Sequence, residues 1–99
     1  MERIHYAGDA VTTGTAIAHA LLDYARALAL VEASDTVEIP VVHDDGSVAR
    51  ATFLIGPASQ LITESIAGEI EELVNQELVD DLMAGAESYL RTWEAAAAH

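Results

Sequence analysis

The turn segment Asp-Asp-Gly at residues 44–46 stands between two runs of strand-forming residues, and no other feature of the 99-residue chain constrains the fold as strongly. Residues 36–43 and 47–55 are rich in β-branched and apolar side chains, which is typical of paired strands. The sequence therefore predicts a β-hairpin. Because Pro40 has no N–H to donate, we expect the first hairpin strand to lie at an edge of the sheet, or to leave the side of Pro40 unpaired.

The apolar pattern also selects the register of this hairpin. A two-residue turn at residues 45–46 would place Val41 opposite Arg50, which pairs an apolar with a charged side chain. A three-residue loop with Gly46 in the left-handed conformation gives one wholly apolar face instead, and a slip by one residue would destroy that face. The predicted pairs are Val37 with Phe53, Ile39 with Ala51, and Val41 with Ala49.

A helix is predicted between residue 15 and the hairpin. Apolar residues recur there at alternating spacings of four and three, the pattern of a helix that lies along a packed layer. Residues 12–15, Thr-Thr-Gly-Thr, precede this run, and we expect a threonine hydroxyl to cap the first turn. The apolar positions are Ile17, Leu21, Tyr24, Leu28 and Val31.

Three further elements complete the prediction. Residues 3–7 form a first strand closed by a turn at residues 8–9, and residues 60–65 form a short strand after the hairpin. A long helical stretch follows Gly68, and Gly85 marks a change of phase at which we expect the helix to kink or break. One apolar ridge of this stretch, at a spacing of four, consists of Ile66, Ile70, Val74, Leu78 and Leu82.

The element order is then β-α-β-β-β-α, in one domain over residues 1–99. This order predicts an α+β fold, a two-layer sandwich in which helices pack on one face of a small, mainly antiparallel sheet of about four strands. Since a helix links the first strand to the hairpin, a parallel pairing of the two through a right-handed crossover is one arrangement that fits.

The charge of the chain excludes several classes of function. Aspartate and glutamate number 17 against 4 basic residues, all arginine, and the net charge is −13. Nucleic-acid binders and proteins that bind anionic membranes need a basic surface, so neither class fits. The absence of cysteine excludes disulfides and thiolate chemistry. No apolar stretch is long enough for a membrane span, and we expect a cytoplasmic protein.

The acidic residues are unevenly distributed along the chain. Residues 51–90 hold eight of them and no lysine, arginine or histidine. One interpretation is a solvated helix face that maintains solubility, and the other is a docking surface for a basic protein. We expect mutual repulsion to raise the pKa values of these carboxyl groups on folding. They are Glu64, Glu69, Glu71, Glu72, Glu77, Asp80, Asp81 and Glu87.

A small-ligand or divalent-metal site, in an enzyme or a binding domain, is the alternative to a role in protein contacts. Glu77 and Asp81 are one helical turn apart and can share a cation. His43 and Asp44 lie at the hairpin tip and His5 in the first strand; if those strands are neighbours, the three side chains approach a ligand cluster. Spacing alone does not bring them together. The sequence assigns no catalytic residue, cofactor motif or metal site.

The predicted hairpin register leaves apolar side chains without an intramolecular cover. Val42, Val48 and Leu54 point away from the helices, and such a patch usually marks an interface. Tyr89 and Trp93 on the terminal helix form a second candidate contact. We therefore expect a non-enzymatic interaction domain that forms a homodimer or a higher homo-oligomer through these residues, with its acidic helix displayed to solvent or to a basic partner.

Overall fold

The computed structural model describes residues 1–68 and 71–98. Five strands form one antiparallel sheet in the order β4-β3-β2-β1-β5, and the helices pack on one face of it. This is the α+β fold that the sequence predicts, with one more strand than expected. Along the chain the elements are β1 (Glu2–Tyr6), β2 (Asp9–Thr13), α1 (Thr15–Leu30), β3 (Asp35–Val42), β4 (Val48–Ile55), β5 (Leu61–Ser65) and α2 (Gln76–Ala97).

The predicted hairpin is confirmed in both its strands and its register. Val37 pairs with Phe53, Ile39 with Ala51 and Val41 with Ala49. The N–H of His43 donates to the carbonyl of Ser47 at 2.9 Å, which closes a three-residue loop. Gly46 has a φ of +87°, the left-handed conformation that this loop requires.

The first helix is also confirmed, but its cap is not the predicted one. Ile17, Leu21, Tyr24 and Leu28 are buried between the sheet and α2. The N-cap residue is Gly14, whose position is not stabilised by a threonine hydroxyl. A carboxylate oxygen of Glu72 accepts the N–H of Thr15 instead. The prediction of a threonine cap is wrong because an acidic side chain from a distant segment satisfies the helix terminus.

Strand β2 was not predicted, and its presence changes the sheet topology. Ala7 and Gly8 form the two-residue turn of a β1–β2 hairpin, with φ angles of 51° and 82°. Because β2 lies between β1 and β3, the first predicted strand does not pair with either strand of the β3–β4 hairpin. The suggestion that these two pair in parallel is wrong, since every pairing among the described strands is antiparallel.

Pro40 does not lie in an edge strand, because β3 has β4 on one side and β2 on the other. The alternative expectation, that the side of the strand to which the Pro40 nitrogen points is unpaired, is confirmed. β2 pairs with β3 only at Thr12 and Val42, so no backbone ladder forms beside Pro40. The Pro40 carbonyl accepts a 2.7 Å hydrogen bond from the hydroxyl of Thr13. A side chain thus replaces the strand pairing that proline prevents.

The second helix begins later than predicted and is not interrupted. Asn75 caps α2 by accepting the N–H of Leu78 at 3.1 Å, and residues 71–75 are not helical. The predicted positions Glu69 and Ile70 lie outside the described residues. Of the predicted kink or break at Gly85, the break is wrong, because α2 continues through it as one helix to Ala97.

The two helices run in the same direction. The start of α1, at Thr15 and His19, lines a groove with the start of α2. Further along α1, Asp23 and Arg26 line a second groove with residues 80–90, which lie further along α2. Since α2 has 22 residues and α1 has 16, the C-terminal end of α2 extends past α1. All of residues 91–98 are exposed.

Candidate functional site

The face of the sheet opposite the helices carries large aliphatic side chains that nothing in the described chain covers. Val48 is 63% exposed and Leu54 68% exposed, both on β4, and Ile62 on β5 is 64% exposed. Val42, on the same face, is half-buried. We call this surface, formed by the alternate residues of the strands that point away from α1, the outer face.

The charges of the outer face balance one another. Arg50 donates to Glu38 at 2.6 Å. His5 Nε2 lies 3.3 Å from a carboxylate oxygen of Glu64, and Arg3 occupies the sheet position opposite Glu64. Two arginines therefore face two glutamates in a protein whose net charge is −13. Because repulsion between acidic chains opposes association, a second acidic molecule can approach this charge-balanced face at little electrostatic cost.

The outer face ends at an open strand edge. Strand β4 is the last strand of the sheet, and no described strand pairs with its far side. Its eight residues pair regularly with β3, without a bulge, and contain no proline and one charged residue, Arg50. Natural edge strands are usually protected by a bulge, a proline or several charged side chains, so β4 is an unusually open edge. At its end the hydroxyl of Tyr6 donates to the carbonyl of Leu54.

Leu54 and Ile62 come from opposite edges of the sheet, yet they line the same depression. His5 lies between them, and the loop of residues 56–60 forms the rim. The sequence prediction did not include Ile62. Alternation along the predicted strand of residues 60–65 indicates that Ile62 points to the face opposite Leu61 and Thr63, but it does not indicate that this face is shared with Leu54.

The second predicted contact divides into a packed part and an exposed part. Tyr89 is half-buried, and its ring centroid lies 6.0 Å from that of Tyr24. Trp93, one turn further along α2, is 41% exposed. Trp93 therefore projects from the end of α2 that extends past α1, whereas most of Tyr89 contributes to packing within the chain.

A separate cleft of about 730 Å³ lies where the β1–β2 hairpin meets the β3–β4 hairpin. This volume falls within the range of small-molecule sites, roughly 300–1,000 Å³. It brings together the predicted residues His5, His43 and Asp44, with Arg3 and Asp9 beside them. Glu77 and Asp81 lie far from it on exposed turns of α2. Among residues 1–68 and 71–98, no group of three or more His, Asp or Glu side chains is arranged to hold a metal ion.

Glu72 joins the segment before α2 to the start of α1. One carboxylate oxygen accepts the N–H of Thr15, and the other lies 2.9 Å from the amino group of Met1. The backbone N–H of Thr15, followed by the amino group, lowers the pKa of Glu72 below its ordinary value. The expectation of a raised pKa is wrong for this member of the acidic set, because donors surround it.

The members of the acidic set that lie on α2 face solvent. Glu77, Asp80, Asp81 and Glu87 are exposed, and Arg91 of the same helix donates to Glu87. Gln76 donates to Asp80 at 2.9 Å. The acidic surface of α2 and the charge-balanced outer face are therefore distinct surfaces.

Comparison of the chain with protein-family models, with curated proteins and with solved structures finds no match. Within the described part of the chain, no helix combines the length and the apolar character that crossing a membrane requires.

Proposed function

We propose that this protein is a non-enzymatic interaction domain that associates with a second copy of itself through the outer face of its sheet. The observation that carries the proposal is the exposure of three large aliphatic side chains, Val48, Leu54 and Ile62, on one face. Burial of apolar area stabilises a complex by roughly 25 cal/mol per Å², and a face that exposes several large apolar side chains often marks an interface.

The distribution of charge supports a second copy as the occupant. A basic partner would be attracted to the exposed acids of α2, whereas the outer face carries paired charges that need no external counterion. Two copies that meet through this face bury side chains whose charges are already compensated. Their acidic helices remain on the opposite side, where they can also attract a basic protein.

Sedimentation velocity at micromolar concentrations tests the proposal. We expect the wild-type chain to be dimeric, and Leu54→Asp and Val48→Asp to be monomeric, because each places a charge in the apolar contact. Val74→Asp is the matched control: Val74 is 72% exposed, lies outside the sheet and gains the same charge. A monomeric wild type, or a dimer that both outer-face variants leave intact, contradicts the proposal.

A small-ligand domain is the second candidate function, and the cleft between the two hairpins favours it. Arg3, His5 and His43 there stand beside Asp9 and Asp44, so the cleft offers donors and acceptors within one small volume. Thermal shift measurements with Mg²⁺, Ca²⁺ and Zn²⁺, and metal analysis of the purified protein, test the metal form of this candidate. The absence of bound metal and of any shift would eliminate that form.

A further inference from the structure

The geometry of β4 indicates how a second copy is held. In the β3–β4 ladder, the bond between His43 and Ser47 fixes which residues exchange backbone hydrogen bonds. Because hydrogen-bonded and non-bonded pairs alternate in an antiparallel ladder, the N–H and C=O groups of Val48, Arg50, Thr52 and Leu54 point away from β3. Within the described part of the chain, the hydroxyl of Tyr6 donates to the Leu54 carbonyl at this edge, and residues 51–53 line the cleft of about 730 Å³ that β4 shares with β1.

We infer that β4 pairs antiparallel with β4 of a second copy, about a two-fold axis at Ala51, so that the two sheets become one continuous sheet. The inference rests on the proposed self-association and places the contact at the β4 edge of the outer face: Val48 and Leu54 of the two copies meet across the junction, and Ile62, on β5 at the opposite edge, is not covered by it. An antiparallel pairing about a two-fold axis is self-complementary, because each residue pair occurs twice. The outward N–H and C=O groups of Arg50 then bond to those of Thr52 in the second copy, and the same pair occurs again across the axis. These bonds do not use the Leu54 carbonyl, which accepts from Tyr6.

Side-chain chemistry selects this register over its neighbours. Centred on Ala51, the ladder places Val48 opposite Leu54 of the second copy, and Arg50 opposite Thr52. Centring on Arg50 would set two guanidinium groups opposite each other, which is destabilising. Centring on Ala49 would set Val48 opposite Arg50 and leave Leu54 without an apolar partner. Centring on Thr52 would pair as many residues of the strand, but it would set Arg50 opposite Leu54 and Val48 opposite Gly56.

The other face of β4 tolerates the same register. Ala49 and Ala51 point toward the core side and are only half-buried, although they lie in a regular strand. At the two-fold axis, Ala51 meets its own counterpart, and two methyl groups fit the short spacing of a non-hydrogen-bonded pair, about 4.5 Å between Cα atoms. The Glu38–Arg50 ion pair lies on the outer face and is retained.

Single-cysteine variants test the register directly, since the natural chain has no cysteine. A disulfide needs Cα atoms about 4.4–6.8 Å apart, which the pair of Ala51 residues satisfies. Ala49 is the matched control: in this register it lies roughly 14 Å along the strand from its counterpart, at about 3.4 Å per residue. Under mild oxidation we expect Ala51→Cys to form a disulfide-linked dimer. Ala49→Cys should form no disulfide and should run as a monomer in a denaturing gel.

The outcomes separate the inference from the proposed function. If the protein is dimeric but Ala49→Cys cross-links, or if neither variant does, the inference is overturned while self-association stands. A monomeric wild type overturns both.

As a second test, Thr52→Pro removes one outward N–H in each copy and should weaken the dimer by roughly 10-fold or more relative to Thr52→Ala. Pro40 in the adjacent strand shows that this hairpin accepts proline where no ladder bond is lost. A folded Thr52→Pro variant that dimerises normally overturns the inference.

Discussion

Gly85 of α2 faces the ring of Tyr24 of α1 at a distance that leaves no space for a side chain. A Cβ atom at position 85 would lie 2.7 Å from Cε1 of Tyr24. The ring cannot swing aside easily, because it is buried and its hydroxyl donates to the carboxylate of Asp35. The glycine therefore sets the spacing of the two helices and does not interrupt α2.

Replacement of Gly85 by alanine should destabilise the protein, although alanine favours a helix by about 1 kcal/mol. We expect the overpacking against Tyr24 to prevail, with a net loss of about 1–3 kcal/mol in urea unfolding. Ser88→Ala, at an exposed position of α2, is the control and should be neutral or slightly stabilising. In a Tyr24→Leu background the penalty at residue 85 should disappear. A stabilised Gly85→Ala variant would show that the helices can separate freely.

Tyr24 should make stability fall at alkaline pH. Burial, and then the hydrogen bond and charge of Asp35, raise the pKa of Tyr24 well above its ordinary value. A group with a raised folded pKa stabilises the protein below its unfolded pKa, about 10, and that contribution is lost as pH rises further. Tyr24→Phe should cost about 1 kcal/mol at neutral pH and flatten the alkaline decline. Equal alkaline slopes for the two proteins in urea titrations would refute this assignment.

Glu72 should contribute stability that depends on its charge. Glu72→Gln keeps an oxygen that can accept the N–H of Thr15 and removes the attraction to the helix terminus and the amino group of Met1. Because the folded pKa is lowered, the contribution is present above the ordinary glutamate pKa and is lost as pH falls through the folded value. We expect a deficit of up to about 1 kcal/mol at pH 7 that closes below about pH 4. A deficit that does not change with pH contradicts this mechanism.

The parts of the fold that could be predicted from the sequence are those that local pattern determines. The β3–β4 register followed from matching Val37 with Phe53 along two long strands, and α1 followed from a spacing of four and three. Strand β2 was missed because its turn uses Ala7 at a positive φ, which alanine rarely adopts. Local chemistry marked a turn at residues 8–9, but none of the usual hairpin dipeptides is present there to indicate that a second strand follows.

Contacts between distant segments could not be predicted in this way. The cap of α1 by Glu72 joins positions 57 residues apart, and the role of Gly85 depends on a ring in another helix. The outer face was predicted through Val42, Val48 and Leu54, because alternation on a strand specifies its faces. Its extension to Ile62 required the sheet order, which places β5 at the opposite edge.

The exposed acids at the start of α2 should limit stability through repulsion. Glu77 and Asp81 are four residues apart on one helix face, and like charges at this spacing destabilise a helix. Asp81→Lys converts the repulsion into a favourable pair with Glu77 in the better orientation, so we expect a gain of about 0.5–1 kcal/mol. Asp81→Asn removes only the repulsion and should gain less. In 1 M NaCl, where the screening length is about 3 Å, the three proteins should converge in urea unfolding. Differences that persist in high salt would mean that side-chain packing or helix propensity, and not charge, sets the order of stability.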